Sequence, residues 1–115
     1  MKALHLTFVQ RLKVVDLLGQ ATGSFQKVVV LAAVFDAVRF SDDEFQQIKV
    51  SDLGNGRRTF EPPTPEFGVL DTHLEDQQAA ALTTELDAFQ GFTIQDKEWL
   101  SDLSRQLVAP SVKRT

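Results

Sequence analysis

Residues 25–40 read FQKVVVLAAVFDAVRF, and whether this run is a helix or a strand decides the fold. Val28, Val29 and Val30 are β-branched, which suits a strand. The apolar pattern, however, runs for about sixteen residues, and buried strands are normally shorter than that. Phe25, Val28, Leu31, Ala32, Phe35 and Val38 recur at helical spacing, and Val29, Val30, Ala33, Val34 and Ala37 cover much of the remaining surface. Ser24 stands where an N-cap belongs. The run reads as a helix, and one apolar nearly all round is expected at the centre of the fold.

Working outward from it, residues 7–19 also read as a helix. Phe8, Leu12, Val15 and Leu18 share one face, Thr7 caps the start and Gly19 ends it. The short polar linker GQATGS (19–24) folds the second helix back on the first. On the other side, FSDDEFQQI (40–48) holds a capping box, Ser41 with Glu44, and a staple pair, Phe40 with Phe45, so a short third helix begins there. The period then changes. Ile48, Val50 and Leu53 precede Gly54-Asn55-Gly56, and Thr59 and Phe60 follow, which predicts a β-hairpin with a tip of residues suited to positive φ. EPPTPEFG (61–68) carries three of the four prolines and reads as a stiff extended connection. FGVLDTHL (67–74) admits two readings, a further short strand or more of that connection.

Helical pattern returns in the last third. Glu75 and Asp76 suit a helix N-terminus, Ala79, Leu82, Leu86 and Phe89 form a stripe, and Gly91 ends it. Thr93 with Asp96 opens a last helix whose buried face is Trp99, Leu100, Leu103 and Leu107. Pro110 stops it, leaving residues 110–115 as a loose tail. The expected fold is α+β and mainly α: about five helices, with a small antiparallel β-hairpin inserted between a front helical set and a C-terminal helix pair. One domain spans 1–115, helical over 1–48, hairpin and Pro-rich insert over 49–74, and helical pair over 75–109.

The bulk numbers exclude several chemistries. The chain has 115 residues, enough for a core without disulfides or metals, and no cysteine, so thiolate sites are ruled out. A net charge of −4 with twelve scattered basic residues argues against a dedicated nucleic-acid binder. No apolar run approaches the roughly 20 residues a membrane span needs, and the N-terminus lacks the pattern of a signal peptide, so a cytoplasmic protein is expected.

Candidate sites are few. Gly54-Asn55-Gly56 before Arg57 and Arg58 resembles a phosphate loop, but the Lys-Ser/Thr pair and the following helix are missing, and a hairpin turn accounts for the glycines. Asp71, His73 and Glu75 would share a face on a strand, a spacing compatible with a metal, yet His5 is the only other histidine and nothing in the sequence brings it near. The acids 42–44, after Ser41, and 75–76 are accounted for by capping and by the helix dipole. No nucleophile set is present, so no catalytic residue, metal or cofactor is expected. Phe60 and Phe67 sit on or beside a hairpin too thin to bury both faces. With Arg57 and Arg58 they are the expected partner-binding residues, for another protein or for self-association into an oligomer.

LTFVQRLKVVDLL (6–18), FDAVRFSDDEF (35–45) and, more faintly, LTTELDAFQGFTIQDKEWLSDL (82–103) resemble small, uncharacterised phage and prophage proteins. The resemblance covers most of the chain through helix caps and apolar stripes, while EPPTPEFGVL departs from it. It implies a phage context, in host cytoplasm or virion, and no site that could be carried over. The reading is a non-catalytic phage-type structural or accessory protein acting through protein contacts. The alternatives are an inhibitor of a host defence or regulatory system that binds a protein or sequesters a small ligand, with a pocket lined by Arg57 or Arg58, and a small metal-dependent hydrolase built around His73.

Overall fold

Helix caps set the outline of the chain. The computed structural model describes residues 1–108, with the side chain of Arg57 outside the description. The expected Pro110 stop and the 110–115 tail fall outside the described residues. The order is β1 (Lys2–Leu6), α1 (Phe8–Gly19), α2 (Phe25–Val38), α3 (Asp42–Gln47), β2 (Lys49–Gly54), β3 (Arg57–Glu61), β4 (Leu70–Leu74), α4 (Asp76–Ala88), a 3-10 turn (Ile94–Asp96) and α5 (Lys97–Val108). The fold is α+β and mainly α, as the sequence predicts. The N-caps are where the sequence puts them, whereas α4 ends at Ala88, short of the Gly91 stop expected from the sequence. Thr7 and Gln10 exchange hydrogen bonds across the first turn of α1, Ser41 and Glu44 do so in α3, and the Asp96 carboxylate accepts from the Thr93 amide.

Lys2–Leu6 form a strand, so the helical segment expected over 1–48 begins only with α1. β1 pairs antiparallel with β4, with Leu4 opposite Thr72 and Leu6 opposite Leu70. Of the two readings of 67–74, the strand is therefore the one realised. β4 also leaves the 49–74 insert, because its partner is the N-terminus and not the hairpin. Alternation explains the pairing: Leu4, Leu6 and Leu74 turn inward and are buried, while Ala3, His5, Asp71 and His73 face out. This ribbon closes the core against α2, α4 and α5, where Val34, Val38, Leu82 and Leu103 are also buried.

Two helices sit differently from expectation. In α1 the deepest apolar residues are Val14, Leu17 and Leu18 with Phe8, whereas Leu12 and Val15 are half-buried, so the buried face is turned by about one residue. The turn brings Gln10 and Arg11 inside. In α2 only Leu31, Val34 and Val38 are buried. Phe25 is 83% exposed and Val29 50%, so the helix lies at the side of the fold and not at its centre. It covers the core with one face because the β1–β4 ribbon, unseen in the sequence, supplies the opposite wall.

β2 and β3 form the expected hairpin, with Val50 opposite Phe60 and Asp52 opposite Arg58. Gly54, Asn55 and Gly56 all have positive φ, between 55° and 80°, and the register shifts at the tip. The hairpin meets the body mainly at its base, where buried Ile48 and half-buried Phe60 join Phe8, Phe40 and Phe67 in a second small cluster. The radius of gyration is 14.6 Å and the longest extent 46 Å, against roughly 13 Å for the radius of a compact chain of this length.

Candidate binding cleft beside the hairpin

Arg11 is the root of the site. Its side chain is 2% exposed, and all five guanidinium N–H groups have acceptors. Nε donates to the Val38 carbonyl at 2.9 Å, Nη1 to Glu44 at 2.8 Å and to the Gly68 carbonyl at 2.9 Å, and Nη2 to the Arg39 carbonyl at 2.6 Å and to Glu44 at 3.3 Å. The guanidinium also stacks 4.2 Å from the centre of the Phe40 ring. One side chain of α1 thus ends α2, docks α3 and fixes the connection into β4. A buried charge of this kind is tolerable only when every donor is satisfied and a counter-charge is close. The Arg11 hydrogen bonds, with the Ser41 amide adding to them, hold the Glu44 carboxyl at about 2, well below its usual value, although partial burial opposes the shift.

Gly68 completes this root. Its φ is +83°, and a Cβ there would lie 3.0 Å from the Phe8 ring, so a side chain would meet both backbone strain and a clash. Phe8 packs on Phe40 and Phe67 with ring centres 5.4 and 6.2 Å away.

Above the root opens a cleft of about 810 Å³ between α1, α2, α3 and β3. Its apolar wall includes Leu12, Phe35, Phe40, Phe45 and Phe60, and Lys13, Arg39 and Arg58 stand on it together with Asp16. The volume lies within the range of small-molecule and peptide-anchor pockets. Phe45 does not sink as a staple partner. It stays 54% exposed on the cleft wall, while Phe40 turns inward under Arg11.

The four residues expected to bind a partner are therefore separated. Arg58 is exposed and Phe60 half-buried, and both line the cleft. Phe67 is half-buried against Phe8 and is not part of the lining. The side chain of Arg57 lies outside the described residues. The sequence reading missed Lys13 and Arg39 as cleft residues. Their only signal was position, flanking apolar residues near the exit of one helix and within the first, which becomes meaningful once the hairpin is placed opposite them.

The outer face of the β1–β4 ribbon holds a second polar group. The register sets His5 opposite Asp71, with Nδ1 2.7 Å from Oδ1, so the pairing brings together residues the sequence kept apart. Both side chains are exposed, at 63% and 79%. His73 shares this face opposite Ala3. Glu75 instead begins α4, where its amide donates to Gln78. Among the described residues no three His, Asp or Glu side chains converge on a common point suited to a metal. Nearby, the Gln106 amide accepts from the His5 N–H at 2.7 Å and donates to the His5 carbonyl at 2.9 Å, taking both edge groups of β1 at that residue. Gln106 and the buried Gln10 also donate to Asp102 at 2.9 and 2.8 Å. The hydrogen bond from Gln10 is the main cause that holds the Asp102 carboxyl below its usual value. Asp96 is lowered too, mainly by the Thr93 amide and then by the Trp99 indole.

No helix among the described residues is long and apolar enough to cross a membrane. No protein-family model, curated protein or solved structure matches the chain.

Proposed function

We propose that the chain is a non-catalytic accessory or structural protein of phage type, acting through protein–protein contacts in host cytoplasm or virion, with the hairpin as its contact element. The observation that supports this reading is the hairpin itself, which is joined to the body at its base and keeps Val50 and Leu53 in solvent, 44% and 62% exposed. An isolated two-stranded ribbon is marginal in water, and apolar side chains carried on it are a liability unless something covers them. A photo-crosslinking residue at position 53, with Ser101 on exposed α5 surface as control, tests the reading in host cells. A discrete protein adduct from position 53 that the control lacks is the expected result. Equal labelling from both positions overturns it.

The cleft favours a second reading, inhibition of a host system by sequestering a small anionic ligand, because Arg58 and two further cations stand around an apolar pocket. A rise in melting temperature with nucleotides, abolished by Arg58→Ala, would identify it. An unchanged melting temperature across nucleotides sets it aside.

A further inference from the structure

We propose that the free edge of β3, together with the cleft beside it, is a groove for an extended acidic segment of another protein, which docks as a third strand on the hairpin. This rests on the protein-contact reading and names the partner's chemistry and mode of attachment.

The geometry of the lining carries the first step. Successive side chains of a strand point to opposite faces. Arg58, Thr59 and Phe60 are consecutive, and all three line the cleft, while no β2 residue does. The cleft therefore opens on the edge of β3 and not on a face of the hairpin. β3 pairs with β2 alone, and among the described residues no backbone hydrogen bond from another element reaches it. Every second residue along that edge thus presents an N–H and a carbonyl without a protein partner, the template on which an extended peptide adds. The contrast with β1 lies at His5, whose edge N–H and carbonyl are both taken by Gln106.

Charge and shape specify the segment. Lys13, Arg39 and Arg58 face the groove against the single acid Asp16, in a chain whose net charge is −4. Among the described residues neither Lys13 nor Arg58 makes a close ion pair, although Lys13 helps to lower the Asp96 carboxyl through space, and Arg39 has the exposed Asp36 at 3.8 Å. An excess of cations over acids in the lining selects an acidic partner and speeds its arrival. Phe45 and Phe60 offer a seat for one apolar anchor side chain among the acids. A five-residue edge accommodates a segment of about five residues, or roughly 17 Å of strand. A nucleotide phosphate would want amides converging on one point, whereas these are strung along a line.

The test is NMR titration of the full chain with a seven-residue peptide alternating Glu with Val and carrying a central Phe. Two control peptides have Lys for Glu or N-methylated alternate amides. The expected result is amide shifts along residues 57–61, new exchange protection at alternate β3 amides, and at least tenfold weaker binding of both controls. Arg58→Glu, with its melting temperature checked against the parent, is expected to weaken the acidic peptide at least tenfold. Absence of binding at millimolar peptide, equal binding of the N-methylated control, or shifts confined to the outer face of β1–β4 each overturns the proposal. Concentration-dependent protection of β3 without peptide, with peptide excluded, overturns it in favour of a second copy of the chain. If peptide fails while crosslinking from position 53 still traps a protein, only strand addition falls. If the crosslink is absent as well, the protein-contact reading falls with it.

Discussion

The two ribbons of this molecule have similar length and the same antiparallel pairing, yet one is structural and the other is available. β1–β4 buries Leu4, Leu6 and Leu74 against helices, and a glutamine side chain takes both edge groups of His5 in β1. β2–β3 touches the body through Phe60, beside Ile48 just before β2, and leaves Val50, Leu53 and the β3 edge uncovered. A two-stranded sheet acquires stability from the apolar face it packs, not from its ladder. The difference in burial therefore marks which ribbon holds the fold and which can be spared for contact. Arg11 joins the two, because its hydrogen bonds reach Gly68 just before β4 and Glu44 on the helix that leads into β2.

Removing that junction should have the largest effect. Arg11→Ala leaves Glu44 without its cation and three backbone carbonyls without donors, so a loss of about 3–5 kcal/mol is expected in denaturant unfolding. Both ribbons should loosen together, seen as faster amide exchange in β2 as well as β4. Leu74→Ala strikes one ribbon only. Its side chain is 0% exposed, and deleting it should cost about 3 kcal/mol by transfer and cavity terms. If Leu74→Ala is tolerated as well as a surface change, the assignment of β1–β4 as the structural ribbon is wrong.

Acid should act on the junction with a smaller amplitude. Glu44 titrates at about 2 in the folded protein against 4.5 unfolded. Between those values the unfolded chain binds more protons, so the Glu44 contribution is complete above about pH 5 and is lost as pH falls through 4.5 towards 2. With 31% of the side chain exposed, solvent screening brings the contribution to about 2 kcal/mol. Asp102 and Asp96, both lowered, add losses of the same sign below the usual aspartate range. Unfolding free energies at pH 6 and pH 3 should differ less in Glu44→Gln than in the parent. An equal difference in both would remove Glu44 as an acid-sensitive group.

Which of this could be read from the sequence follows from how local each signal is. Caps and turns are local, and Thr7, Ser41, Thr93 and Gly54-Asn55-Gly56 all act as their spacing indicates. The β1–β4 pairing joins residues about 70 apart in sequence, and β1 is only five residues long, so its Leu4/Leu6 alternation gave little to detect. Missing that wall, the reading placed α2 at the centre and expected Phe25 to be buried. Arg11 did leave a trace. It stands at the i+3 position from Phe8 on the apolar face of α1, where a charge must either be paired or turn the helix. The cleft had no trace beyond Arg58 and Phe60, since Lys13, Arg39 and Phe45 meet β3 only when the hairpin folds back over α1 and α2.

The smallest expected effect is also the sharpest test of the comparison. Leu53 lies at the far end of β2, 62% exposed, and touches no core cluster. Leu53→Ser should change stability by no more than about 0.5 kcal/mol, the usual range for surface positions. Leu74 and Leu53 are the same residue type on strands of similar length, so the ratio of their effects measures how unequally the two ribbons are used. If Leu53→Ser destabilises the purified chain by more than about 1.5 kcal/mol and the loss grows with protein concentration, the hairpin is already covered in solution by a second copy. A small, concentration-independent change leaves the hairpin uncovered by a second copy in solution.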